Sequence, residues 1–336
     1  MDLHVIMAAD NDYVPYMGTC ILSLLENNIK CFEMIKIYII DNGISDENKI
    51  KLTKQCDAFQ YTSISFFDLR ERFSAIHPLV ENGWNNSIYG RFFLDDVVDK
   101  SVEKVLYLDS DTIVNASLED LMTTDLTDYC LAGVTDISAE HQKELLGMPH
   151  SSLYINSGVL LVNMNKWRKL NITKKLIEFI NTFPEKLLCP DQDALNAVCS
   201  NMTLILPVKY NYGWMLTERR LRWDYYAASF PYSYDEIYDT IKNSYENVVI
   251  FHYFGPLKPW RKGECPKLFE APFIKYYKKS IWWQKRRFIS RKKMLEYYFI
   301  SSPKKLIIVF LRLILGIEKY DAFCDFWEKR KTASPK

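Results

Sequence analysis

Two carboxylates separated by one residue, Asp109 and Asp111, follow directly on an apolar run at residues 105–108. The run VLYL, rich in β-branched and aromatic types, predicts a buried strand, and the stretch VLYLDSDTIV carries its acids at that strand's carboxyl end. Side chains on a strand alternate, so Asp109 and Asp111 point to one side with Ser110 between them. Carboxylates placed together in this way repel each other and lose hydration, and a cation between them relieves both costs. Oxygen ligands of this kind suit a hard divalent ion such as Mg²⁺ or Mn²⁺. The alternative is a solvated acidic loop beyond a strand, since short motifs also arise by chance.

Other residues offer chemistry of their own. Arg91 is either a surface charge or a planar fork that meets phosphate or carboxylate. Asn156-Ser157-Gly158 places a donor and acceptor beside a residue that allows close backbone approach. Asp191 and Asp193 sit where a helix macrodipole favours acids, which explains them structurally but says nothing about Gln192. His252 follows a strand, where most histidines are structural hydrogen bonders. Here it precedes Gly255 and Lys258, a grouping suited to phosphate.

The elements that must position these groups follow from periodicity. Residues 4–9 form a short apolar strand, Asp10-Asn11-Asp12 a polar turn, and Pro15 a first helical turn. Met17, Cys20, Ile21, Leu24 and Leu25 then mark one buried helical face. A strand at 35–40, a helix capped by Ser45 and a strand at 64–67 complete a β-α-β-α-β alternation, the pattern of a largely parallel sheet covered by helices. Ligands of such sheets bind beyond the carboxyl ends of the strands, where both Asp10–Tyr13 and the DSD triplet fall. A helix is expected over about residues 87–98, a mixed excursion over 139–155, a core strand at 159–162 and another at 248–251.

Composition sets the frame. The chain has 336 residues, 48% hydrophobic and 25% charged, enough for one large domain with appendages or two domains. Eight Cys lack CxxC or zinc-like spacing, which predicts reduced, mostly structural thiols in a cytosolic setting. The opening MDLHVIMAAD lacks the features of a signal peptide, and no segment reaches the ~20 apolar residues needed to span a bilayer. The net charge of +1 conceals an asymmetry: residues 275–336 hold 17 Lys/Arg and 5 Asp/Glu, leaving the rest acidic. A basic tail on an acidic body predicts an anionic partner.

The series AADNDY, YGRF, YLDSDTIV, INSGVLLVNMNKW, DQDALN and HYFGPLKPW, in that order, resembles the retaining glycosyltransferases of the lipopolysaccharide galactosyltransferase and glycogenin type, glycosyltransferase family 8. The match spans roughly residues 3–262. The resemblance implies an α/β glycosyltransferase A fold, with a Rossmann-like, mostly parallel central sheet and helices on both faces. It implies a UDP-sugar donor and a metal, usually Mn²⁺, with Mg²⁺ as the alternative. Carried over by position, Asp109, Asp111 and His252 would hold the metal. Ala8, Ala9, Asp10, Asp12 and Tyr13 would receive uridine, Tyr13 by stacking. Gly255 and Lys258 would meet phosphate, Arg91 would sit near the diphosphate or the sugar, Ser110 would join the donor-binding residues, and Asp136, Asn156, Asp191 and Gln192 would bind the sugar's hydroxyls. Asp12 departs from the Asn that the family often carries there; ribose hydroxyls can donate to a carboxylate, so the assignment stands. The implied reaction moves galactose or glucose from UDP to a lipopolysaccharide, cell-surface or other glycan, forming an α-glycosidic bond. A non-catalytic nucleotide-sugar or glycan-binding protein of the same fold is the alternative.

The expected organisation is a catalytic domain at 1–265 and a helical, basic, aromatic-rich region at 266–336. That region interleaves aromatics with cations and contains LIIVFLRLILGI, too short to span but able to lie in a membrane interface. Peripheral attachment to the inner face of the cell membrane through anionic lipid is the expectation, and a helical hairpin packed on the body the alternative. Nucleic acid is not an expected partner, because no RNA-recognition motif accompanies the charge.

Overall fold

The first seven-residue strand, β1 (Leu3–Ala9), is buried along nearly its whole length, and its neighbours explain why. In this computed structural model, which describes residues 1–76, 86–136, 140–149, 151–213, 246–255, 258–261, 265 and 267–283, β1 lies near the centre of a seven-stranded sheet. The other members are β2 (Ile35–Asp41), β3 (Thr62–Asp68), β4 (Lys104–Leu108), β6 (Leu131–Gly133), β7 (Val159–Asn163) and β8 (Thr203–Ile205), in the order β3-β2-β1-β4-β7-β6-β8. All neighbouring pairs are parallel except those made by β7, which runs against both β4 and β6. Alternation along the strands feeds two cores. Val5, Met7, Leu106 and Leu108 pack into one; Ile6, Ala8, Val105 and Tyr107 pack into the other.

The reversed direction of β7 matters for the site. Its Val159 stands opposite Leu108, so the residues leading into it reach the carboxyl end of β4. There the Asp109 amide donates to the Gly158 carbonyl at 2.8 Å. Beyond the acidic loop, β5 (Thr112–Val114) leaves for a small second sheet with β10 (Ile250–His252) and β9 (Tyr212–Gly213), which brings His252 opposite Thr112.

Helix α1 (Val14–Asn28) starts with Pro15 in its first turn and buries the face expected from its periodicity. Helix α2 (Asp46–Asp57) is capped by Ser45, whose hydroxyl accepts from the Asn48 amide. Short helices α3 (Arg70–Phe73), α4 (Glu119–Met122), α5 (Glu140–Leu146) and α6 (Met164–Lys169) precede α7 (Ile172–Thr182) and α8 (Pro190–Cys199). The stretch at 139–155 thus contains a helix, and Met148 and Tyr154 beyond it are buried. The helix expected over residues 87–98 is instead two 3₁₀ segments, Asn86–Phe92 and Leu94–Asp96. Gly90 lies in the first; a Cβ there would sit 2.5 Å from that of Ala8, so close approach to β1 outweighs regular helix.

Helix α9 (Lys267–Tyr277), which sequence reasoning grouped with the C-terminal region, buries Phe269, Phe273 and Tyr276 in the core beside α1. Trp282 lays its ring over Gly18, where a Cβ would come within 2.1 Å, and donates from Nε1 to Asn48 Oδ1 at 3.0 Å. Cys265–Gln284 therefore belongs with the main body, Met1–Trp260. A second unit comprises Arg261–Glu264 and Lys285–Lys336. Of these residues only Arg261 is described, so the interfacial stretch at 306–317 lies outside the described residues. Among those described, no helix is long and apolar enough to cross a membrane.

Candidate active site

Four chain segments converge on the acidic loop. Asp109, Asp111 and His252 bring one ligand atom each to within 4.8 Å of one another. Their Nε2–oxygen separations are 3.2 Å to Asp111 Oδ1 and 3.6 Å to Asp109 Oδ2. Gly158 makes room for this trio, because a Cβ there would stand 2.1 Å from His252 Cε1 and 2.6 Å from Asp109 Oδ2. Two carboxylates and an imidazole around a space that only glycine leaves open form a donor set suited to Mn²⁺, which accepts nitrogen among oxygens.

Arg91 and Lys258 flank the trio. Arg91 is buried, with Nη2 donating to Asp109 Oδ1 at 2.7 Å and Nη1 lying 3.0 Å from Asp191 Oδ2. Nη1 also donates to the Ser157 hydroxyl, Nε to the Ile88 carbonyl, and the guanidinium stacks 4.9 Å from the Tyr107 ring. This is the fork geometry that a lysine cannot reproduce. Lys258 donates to Asp111 Oδ2 at 2.6 Å and to the Tyr253 carbonyl at 2.8 Å, over the Trp260 ring.

The titration behaviour divides the two acids. Burial raises the Asp109 pKa, and Arg91 and His252 offset this only in part. Burial also pushes Asp111 upward, but Lys258 and His252 outweigh it and leave that carboxyl well below the ordinary range. Burial opposes the charge of Arg91 and Lys258, yet the carboxylates beside them raise both above their usual values. Asp111 is thus held in its ionised form, whereas burial disfavours the charge on Asp109, a cost that a divalent cation would relieve.

A second cluster adjoins the first. Asp136 Oδ2 accepts from Asn156 Nδ2 at 3.2 Å and from Gln192 Nε2 at 3.0 Å. Gln192 Oε1 accepts from the Ser157 amide at 3.0 Å, and its Nε2 also donates to the Tyr154 hydroxyl. Asp191 Oδ2 accepts from the Ser157 hydroxyl at 3.0 Å. Asp193 has a structural part, accepting from Tyr154, Leu188 and Cys189.

At the end of β1 the third group assembles. The Ala8 carbonyl accepts from Ser110 Oγ at 2.8 Å, tying β1 to the acidic loop, and buried Ala9 follows. Asp10 Oδ1 accepts from the Tyr13 amide, and Asp12 is exposed. Tyr13 is 37% exposed, and its ring makes T-shaped contacts with Tyr16 and Trp260. Gly255 has φ +79°, a turn that favours glycine between His252 and Lys258.

Asp109, Asp111, His252, Arg91 and Lys258 thus share one set of contacts, which Ser157 links to Asp191 and Gln192, and Gln192 to Asp136 and Asn156. Sequence reasoning missed Ser157, Tyr107, Tyr154 and Asn211. Ser157 stood inside a motif, but its contacts with Asp191 and Gln192 depend on the docking of α8 and that with Arg91 on the 3₁₀ segment Asn86–Phe92. Asn211 sits in an aromatic stretch without periodicity, and nothing local marks it.

The family model for Glycosyl transferase family 8 matches residues 4–264. A putative glycosyltransferase of Haemophilus influenzae is 30% identical over 272 residues, 79% of this chain and 75% of that protein. A lipopolysaccharide 1,2-glucosyltransferase of Escherichia coli K12 is 25% identical, covering 83% of this chain and 77% of its own length. The crystal structure of galactosyltransferase LgtC, in complex with donor and acceptor sugar analogs, superposes with a TM-score of 0.70 at 27% identity, across 85% of this chain and 98% of that one.

Proposed function

The chain belongs to glycosyl transferase family 8, and from that premise we propose a metal-dependent, configuration-retaining hexosyltransferase that moves galactose or glucose from UDP to a glycan acceptor such as lipopolysaccharide. The observation that carries the reading is the trio Asp109, Asp111 and His252, flanked by two buried cations at the carboxyl edge of the sheet. Relatives that act as lipopolysaccharide glucosyltransferases support the acceptor class.

Asp109, Asp111 and His252 would hold Mn²⁺ or Mg²⁺, which supplies positive charge to the departing diphosphate. Lys258 and Arg91 add to that stabilisation from fixed positions, at no reorganisation cost when the bond breaks. Tyr13, braced by Tyr16 and Trp260, offers a face for uracil, with Ala8, Ala9, Asp10 and Asp12 around the nucleoside. Asp136, Asn156 and Gln192 form a polar cup for sugar hydroxyls.

Retention of configuration needs either a nucleophile on the far side of the sugar or attack from the leaving-group side. Asp191 is a weak nucleophile here, because Arg91 and the Ser157 hydroxyl both engage its Oδ2. Gln192 is weaker still, with Oε1 bound to the Ser157 amide. These contacts favour front-face attack, the departing phosphate helping to remove the acceptor's proton.

We further propose that the C-terminal region attaches the protein to the inner face of the cell membrane. Ile281 and Trp283 are exposed at 47% and 42% beside Lys278 and Lys279, just ahead of the basic segment, which supports an apolar and cationic docking face.

The test is UDP release from a panel of UDP-sugars, with Mn²⁺ and with chelator, water being the acceptor. Release from one sugar that chelator abolishes, and that Asp109→Asn or Asp111→Asn removes, is the expected result. Release unaffected by chelator would sink the metal role; no UDP binding by calorimetry would remove the donor site.

A further inference from the structure

His252 has two ring nitrogens, and only one faces the carboxylates. Its Nε2 points to Asp109 and Asp111, while Nδ1 lies 2.9 Å from Asn211 Oδ1. Which nitrogen carries the proton follows from a chain of contacts with unambiguous ends. The Gly158 amide is a backbone N–H and must donate; it lies 3.0 Å from Asn156 Oδ1, which therefore accepts. At the other end of Asn156, Nδ2 meets the Asp136 carboxylate, an obligatory acceptor when ionised. Asn156 is thus fixed from both sides. Asn211 lies 2.9 Å from the same Asn156 Oδ1 and must present its Nδ2 there. Its Oδ1 is left facing His252, so the Nδ1 position must hold a proton and the neutral ring carries its lone pair on Nε2.

We infer that Asn211 is a positioning residue: it holds His252 in the tautomer that presents an Nε2 lone pair to a divalent cation shared with Asp109 and Asp111. It also connects that ligand to the Asn156–Asp136–Gln192 cluster. The inference rests on the metal-dependent reading above. Asn211 is 4% exposed, and its amide closes the turn at Val208–Tyr210 by donating to the Val208 carbonyl, so its side chain starts from a fixed backbone. Hydrogen bonds to the far nitrogen of a ligating imidazole orient the ring and raise its basicity, and their loss typically costs about 10–100-fold in metal affinity.

Mn²⁺ binding to the full chain, measured by electron paramagnetic resonance with UDP saturating, separates the possibilities. The expected pattern is tight binding by the unsubstituted protein, loss in Asp109→Asn, and binding about 10–100-fold weaker in Asn211→Leu. Asn211→Asp keeps an acceptor toward Nδ1 and should hold Mn²⁺ far more tightly than the leucine variant. A purely packing role would not produce that rescue. Parent-like affinity in Asn211→Leu, with Asp109→Asn still defective, overturns this inference and leaves the metal reading standing. Equal affinity in parent and Asp109→Asn removes the metal reading itself. Should the leucine variant fail to fold, ¹⁵N-histidine spectra of the unsubstituted protein with Mg²⁺ and UDP decide the matter. Nδ1 protonated at His252 supports the inference, and the opposite tautomer overturns it.

Discussion

Replacing Gly158 by Ala adds one methyl group where the chain enters β7, and the surroundings fix the size of the collision. The new Cβ would stand 2.1 Å from His252 Cε1, 2.8 Å from its Nε2 and 2.6 Å from Asp109 Oδ2. Non-bonded carbons sit comfortably at about 3.5 Å, so the imidazole would have to retreat by about 1.4 Å. Its retreat is opposed by Asn211 at Nδ1, by Phe254 edge-on at 5.0 Å, and by the β10 ladder. The backbone contributes no strain of its own, because Gly158 is not among the glycines with positive φ. The bonds of the Gly158 amide to Asn156 and of its carbonyl to Asp109 can also persist. Overpacking of this kind costs about 1–3 kcal/mol, which a body of this size survives. Metal–ligand distances tolerate only about 0.2 Å, and a misplacement of about 1 Å costs on the order of 10²-fold in rate. Gly158→Ala should therefore fold, melt somewhat lower, bind Mn²⁺ weakly and release UDP about 10²-fold more slowly. Thermal unfolding, Mn²⁺ titration and UDP release on one preparation check all of this. Unchanged Mn²⁺ affinity and turnover in a folded variant would refute the claim that His252 and Asp109 share a cation across Gly158.

Arg91→Lys keeps the charge but cannot bridge Asp109, Asp191 and Ser157 together or stack on Tyr107. UDP release should fall on the order of 10²-fold, with a lower melting temperature; parent-like kinetics would show that charge alone suffices. Partial burial would raise the Asp95 pKa, but hydrogen bonds from Lys100 and Arg168 outweigh it and leave the carboxyl below its usual range. A lowered folded pKa gives stability that is complete above the unfolded value near ~3.9 and is lost as pH falls through the folded one. Asp95→Asn should accordingly melt lower at pH 7, with the gap narrowing on acidification; a gap independent of pH would contradict this. Removing residues 285–336 leaves Trp282 on Gly18 and keeps the exposed Ile281 and Trp283, so binding to anionic liposomes should weaken strongly while UDP release is spared. Equal liposome binding with and without the segment would refute the membrane assignment.

The acidic pair was legible in sequence because it ends a strand whose composition announces it, and the carboxyl ends of such parallel strands gather on one edge; His252 meets it through the second sheet, where β10 runs against β5. The direction of β7 was not legible. A strand buried on both faces shows no alternation, and VLLVN reads the same whichever way it runs. The 3₁₀ geometry of residues 86–96 was hidden because helical periodicity does not reveal how closely Gly90 must approach Ala8. The reach of the body to Trp283 escaped for a similar reason. Basic charge dominates the composition after residue 275, while the apolar faces of Phe269, Phe273 and Trp282 that hold it are few. Asn211 carries a role only once three loops have met, and no local pattern encodes that meeting.

The reversal of β7 also dictates when the site can exist during folding. Contacts such as Arg91 with Ser157 and Lys258 with Asp111 join residues 66 and 147 positions apart, so their loops must close before any of them forms. Such non-local closures come late and slowly, after the parallel β1–β2–β3 half could already be paired. A partly folded chain with only that half in place would hold no complete cation site and no sugar cup. On the proposed function, nucleotide and a divalent cation would then act as selective ligands of the finished fold, adding about 2.7 kcal/mol at a hundredfold excess over Kd. Recovery of Mn²⁺ binding during refolding would thus mark the docking of β7 between β4 and β6.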